Sequence, residues 1–140
     1  MRLCRGFSLL ELLIALCIVA ILLTVALPAY QSSVIKSRRS DAMAALVEVA
    51  GRQEQRRFAT GDYTDDLREL GYRDNPLTTD DGHYRIAAGA CADGPLATCF
   101  LLTATPLAAS PQSADSRCAS LTLDARGSRS ATGTDPAACW

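Results

Sequence analysis

Glu11 is the residue whose surroundings demand an explanation first. It is the only charged side chain between Phe7 and Tyr30, and residues 12–27 are all apolar apart from Thr24. An ionised carboxylate in such a setting costs several kcal/mol unless a cation or a set of donors meets it. One partner is local: Ser8-Leu9-Leu10-Glu11 has the form of a capping box, with Ser8 as N-cap and Glu11 reaching back to its amide. Nothing basic lies within a helical turn on its C-terminal side. Remaining groups offer less chemistry. Ser33-Val34-Ile35-Lys36 fits an S-x-x-K spacing but has none of the companion motifs that make it a nucleophile and base. His83 is the single histidine and no two cysteines are spaced C-x-x-C, so neither a catalytic triad nor a zinc site is expected, and no cofactor motif is found. Asp80-Asp81-Gly82 reads as a turn and lacks the spaced acids of a calcium loop. The chain is therefore expected not to be an enzyme.

The element that carries Glu11 is a helix. Residues 9–27 number 19 and rise roughly 28 Å as an α-helix, close to a hydrocarbon core of about 30 Å. A short basic leader with Arg2 and Arg5 precedes it, which keeps that end cytoplasmic. Pro28 closes the apolar run and predicts a kink or local loosening there. Beyond Tyr30 the pattern becomes amphipathic: Ile35, Ala42, Met43, Leu46, Val47, Val49 and Ala50 fall on one face, with Lys36, Arg38, Asp41, Glu48, Arg52 and Arg56 opposite. Thr60-Gly61 supplies a stop. A helix from Ser8 to Thr60 spans about 80 Å, more than a small globule can cover, so its first half needs lipid or other chains as partners.

Residues 62–82 read as a connecting loop holding one short helical turn, with Thr64 as its cap, Leu67 and Leu70 inward and Gly71 as its stop. Three strands follow at residues 83–88, 99–105 and 118–124. Their inward faces are Tyr84/Ile86/Ala88, Phe100/Leu102/Ala104 and Ala119/Leu121/Leu123, and residues 128–132 add a polar edge. One apolar helix stripe against one apolar sheet face predicts an α+β fold: a long N-terminal helix, half transmembrane and half amphipathic, packed on an antiparallel sheet of three to four strands. Four cysteines, Cys91, Cys99, Cys118 and Cys139, lie beyond the apolar helix and allow three pairings, which suits an oxidising compartment. Cys17 sits inside the apolar run as a packing residue. Without the leader, 12 basic residues face 15 acidic ones, so no basic nucleic-acid surface is expected and nucleic acid is not counted among the partners.

A basic leader, then Gly6-Phe7-Ser8-Leu9-Leu10-Glu11, then a long apolar helix with a late proline resembles the class III signal of type IV pilins. The resemblance implies four segments: leader 1–6, transmembrane and filament-core helix 7–30, amphipathic helix 31–60 and a pilin head 61–140. It implies cleavage between Gly6 and Phe7 by a prepilin peptidase, N-methylation of Phe7 by the same enzyme, and pairing of Glu11 with the Phe7 amine of a neighbouring subunit. It also implies that Cys118 and Cys139 close a C-terminal loop, while Cys91 and Cys99 flank the loop between the first two strands and are expected to pair.

The closing Cys139-Trp140, the helix end at residues 52–57 and Tyr63-Thr64 are similar to PilE-type minor pilins. A minor pilus subunit follows, with roles in pilus assembly, twitching motility and adhesion. It would lie in the inner membrane with its head periplasmic, then in the extracellular fibre, and its partners would be major and minor pilins and the assembly machinery. The alternatives are a major pilin, a type II secretion pseudopilin, or a secreted domain cut after Ala26.

Overall fold

The computed structural model describes residues 8–140. The processing junction Gly6–Phe7 lies outside the described residues. The chain divides into two compact units, one ending at Val34 and the other formed by Ile35–Trp140.

In the first unit the helix α1 (Leu9–Thr60) begins with Ser8 just ahead of it, the Ser8 carbonyl accepting from the Leu12 amide at 3.1 Å. Its assignment runs unbroken through Pro28. Two hydroxyls fold back onto the helix: Thr24, inside the apolar run, donates to the Ile21 carbonyl, and Ser32, beyond it, to that of Ala29.

The second unit is a helix-on-sheet head. Five antiparallel strands lie in sequence order, β1 (Leu77–Thr78), β2 (Tyr84–Ala90), β3 (Phe100–Pro106), β4 (Ser120–Asp124) and β5 (Arg129–Thr132). The register pairs Ile86 with Ala104 and Leu102 with Leu123, so the apolar alternation of each strand meets that of its neighbour on one face. Tyr84, Ile86, Phe100, Leu102, Ala104, Leu121 and Leu123 are buried there against Ala42, Leu46 and Val49 of α1.

Three expectations are corrected. The sheet has five strands and not three or four, because Leu77–Thr78 pairs with Arg85 and Ile86; two residues carry no periodicity. The turn Leu67–Leu70 is capped by Asp66, whose carboxylate accepts from the Arg68 amide, while Thr64 caps the Asp66 amide one step earlier. The buried stripe of α1 is Arg39, Ala42, Leu46, Val49 and Gln53, whereas Val47, assigned inward, is 50% exposed. Gly71 ends the short turn at φ 87°, a left-handed value that glycine adopts freely.

Candidate functional site

The first half of α1 is the part of the chain that calls for a partner. Leu9, Leu10, Leu12, Leu13, Ile14 and Leu16 are each more than half exposed, and this helix alone among those described is long and apolar enough to cross a membrane. Glu11 lies exposed in its first turn. At a helix N-terminus the carboxylate is favoured by the macrodipole, by up to about 1 kcal/mol when exposed. That does not offset the cost of taking it into hydrocarbon, and no ion pair meets it among the described residues. Cys17 is free and exposed on the same segment.

In the head, two polar clamps hold α1 to the rest. Arg39 and Asp115 form a bidentate pair, Nε to Oδ2 at 2.6 Å and Nη2 to Oδ1 at 3.0 Å, with side chains 9% and 3% exposed. Gln112 completes it. Its Nε2 donates to Asp115 Oδ2 at 3.2 Å, to the Tyr84 hydroxyl at 3.0 Å and to the Ile35 carbonyl at 3.4 Å. Burial raises the pKa of the Tyr84 phenol. The second clamp is Gln53, whose amide donates to the Thr64 carbonyl at 2.5 Å and accepts from the Thr64 amide at 3.1 Å, as a strand neighbour would. Neither clamp was legible as a functional pattern, since each pairs an α1 side chain with a residue outside the helix.

The face beside the α1 end is a lattice of cation and aromatic contacts. Arg52 lies 4.3 Å from the Tyr72 ring centroid, bonds Glu48 at 2.9 Å and donates to the Leu70 carbonyl at 3.0 Å. Burial first, then the Glu48 carboxylate, push the Tyr72 hydroxyl up to about 12. Arg57 lies over Tyr63, whose ring meets Phe100 edge-on at 4.8 Å.

The cysteines are joined as Cys91–Cys99, across the turn between β2 and β3, and Cys118–Cys139. The grouping of Cys91, Cys99 and Asp93 is therefore not a metal site: both sulfurs are in the disulfide and the Asp93 carboxylate pairs with Arg126. Cys118–Cys139 holds the tail over the sheet edge, where Trp140 Nε1 donates to the Ser130 carbonyl of β5 at 2.6 Å and Arg117 bonds Asp135 at 2.7 Å. One carbonyl of the edge strand is so met, while β5 itself stays largely exposed. His83 Nδ1 is 2.7 Å from the Ser110 hydroxyl, and Ser33 and Lys36 are both exposed on α1.

Residues 28–122 match the family model of "Type IV minor pilin ComP, DNA uptake sequence receptor". The chain belongs to the ComP family of type IV minor pilins. Residues 1–27 match the prokaryotic N-terminal methylation motif, the segment that holds Gly6, Phe7 and Glu11. Among solved structures, the non-core minor pilin PilV of Neisseria meningitidis is 19% identical with a TM-score of 0.55, over 74% of this chain and 91% of that one, and shares the fold. A type IV pilin from Shewanella oneidensis is 26% identical with a TM-score of 0.46, over 68% of this chain and 89% of that one. No curated protein matches the chain.

The family is one of structural pilins, and membrane anchoring and leader processing accord with its motif and apolar helix. One expectation is corrected. The exclusion of nucleic acid rested on charge balance alone, and the matched family is described as a DNA receptor. Net charge averages over a surface and is silent on how its arginines are placed.

Proposed function

We propose that this minor pilin is cut between Gly6 and Phe7 by the prepilin peptidase, methylated at Phe7, held in the inner membrane with its head periplasmic, and drawn into the pilus. There Glu11 pairs with the Phe7 amine of a neighbouring subunit. The observation that carries the reading is the lone carboxylate in the first turn of a helix whose first half exposes its apolar side chains on all sides. In a water-free fibre core the amine and the carboxylate each offset the other's desolvation, and removing one partner of such a pair costs about 3–5 kcal/mol. Glu11→Gln keeps the capping geometry and deletes the charge. The variant is expected to accumulate, processed, in the membrane and to be depleted from sheared filaments. Recovery at wild-type levels would leave Glu11 with only a capping role.

Pro28 is assigned the place where the helix loosens in the assembled fibre, since it lacks the amide that would bind one turn back. The Cys118–Cys139 disulfide keeps the tail tied to the sheet outside the cell.

A second reading comes from the family description: the head binds DNA. Six arginines, Arg39, Arg52, Arg56, Arg68, Arg117 and Arg126, are engaged by carboxylates. Lys36, Arg38, Arg57, Arg73, Arg85 and Arg129 make no ion pair among the described residues and are the cations available to phosphate, Arg57 also donating to the Tyr63 hydroxyl. Gel shift with family uptake-sequence DNA and a scrambled duplex tests it. Weak binding that ignores sequence and collapses with salt would mark a phosphate contact and no receptor.

A further inference from the structure

A groove opens on the flank of α1 in the head. It holds about 450 Å³ and is formed by Met43, Ala44, Val47 and Glu48 of α1 with Arg129 of β5 and Trp140. That volume lies within the roughly 300–1,000 Å³ of small-molecule sites. The floor is apolar, and Val47 there is 50% exposed. The wall is a stacked pair, the Arg129 guanidinium carbon lying 5.3 Å from the Trp140 ring centroid. The indole is fixed beforehand, by its bond to the Ser130 carbonyl and by the disulfide at Cys139 beside it.

Charge narrows the choice of occupant. Glu48 is answered by Arg52 at 2.9 Å. Arg129 makes no ion pair among the described residues, so the lining carries one uncompensated positive charge. A guanidinium lying on an aromatic ring keeps its in-plane N–H groups free for an anion. The apolar floor, by contrast, gives a phosphate no donors. The occupant therefore needs a flat body with apolar faces joined to an anionic group. A nucleotide within a DNA strand has both, and indole rings and guanidinium planes are surfaces on which bases stack.

We propose that this groove seats one base of a DNA strand, stacked against Trp140 over Met43 and Val47, with Arg129 donating to a flanking phosphate. The inference rests on the DNA-binding reading of the head and adds to it where, and by what contacts, a base is held. A concave site reaches a base only outside its stack, so unpairing is part of the cost of binding. A probe with one base already unpaired removes that cost in advance.

The test uses the full chain in detergent and two duplexes of family uptake-sequence DNA, one fully paired and one with a single unpaired adenine at its centre. Trp140 is the only tryptophan, so its emission reports on the groove. Adding DNA should quench that emission with the same midpoint as the gel shift. The bulged duplex should bind at least about fivefold tighter than the paired one. Ala44→Phe, at an exposed position of α1, fills the groove without changing charge or a buried contact. It should weaken binding of the bulged duplex at least about fivefold, the lower bound for losing one stacked base. It should also erase the preference for the bulge and leave the salt slope unchanged. Arg129→Ala should instead lower the salt slope by about one phosphate contact. Unchanged Trp140 emission on binding, wild-type affinity in Ala44→Phe, or equal affinity for the two duplexes would each overturn the groove as a base site, leaving DNA to the other cations. A wild-type chain that binds neither duplex refutes the DNA reading itself, and the groove with it.

Discussion

Asp115→Ala is expected to destabilise the head more than loss of any surface ion pair. The substitution leaves the Arg39 guanidinium, 9% exposed, without the carboxylate that accepts its two hydrogen bonds, and takes one acceptor from the Gln112 amide. Removing one member of a buried pair costs about 3–5 kcal/mol, out of a total of about 5–15 kcal/mol for a domain. At about 4 °C or more per kcal/mol for a domain of this size, the melting temperature should fall by at least about 12 °C. Trp140, the only tryptophan, lies in the head and reports its unfolding by fluorescence in the full chain held in detergent. Arg39→Met together with Asp115→Leu should recover most of the loss, since an apolar pair of similar bulk removes the stranded charge. Asp135→Ala, which breaks the exposed pair with Arg117, is the control and should shift the melt little. A fall of only a few degrees for Asp115→Ala, equal to that of the control, would refute the clamp.

Three further outcomes are expected. Gly6→Val should block leader removal, read as slower electrophoretic migration in the presence of the peptidase; normal maturation would exclude the class III signal. Gly133→Ala should loosen the C-terminal tail, because Gly133 has φ 132° and a Cβ there would collide with the Arg117 carbonyl. Faster reduction of Cys118–Cys139, followed by non-reducing peptide mapping, is the readout. Tyr72 should titrate late by ultraviolet absorbance, near 12. The folded chain keeps that proton while the unfolded chain releases it at about 10, so this contribution to stability is complete below about pH 10 and is lost as pH rises towards 12. Tyr72→Phe should flatten that alkaline loss.

The parts of the molecule governed by apolar alternation could be read directly. Tyr84/Ile86, Phe100/Leu102/Ala104 and Leu121/Leu123 face inward because each strand shows one face to α1, and the period of two marks which. Along α1, Ala42, Leu46 and Val49 were visible for the same reason. Arg39 and Gln53 lie on the same stripe, three residues before Ala42 and four after Val49. A polar side chain at a core angle looks like an interruption until its partner, Asp115 or Thr64, is known. Val47 erred the other way: an apolar residue at the margin of the stripe was counted as core, and it lines the exposed groove instead. β1 was invisible because two residues make no pattern, and its pairing is set by the strand beside it. At the assembly end, the lone charge of Glu11 stood out against apolar neighbours, which is a signal of composition and needs no tertiary structure.

The most direct measurement is mass spectrometry of this chain's N-terminus in filaments sheared from cells. A processed pilus subunit begins at Phe7 carrying a methyl group on its amine. An N-terminus at Met1 or at Leu27, or failure to recover the chain from filaments at all, would contradict the account.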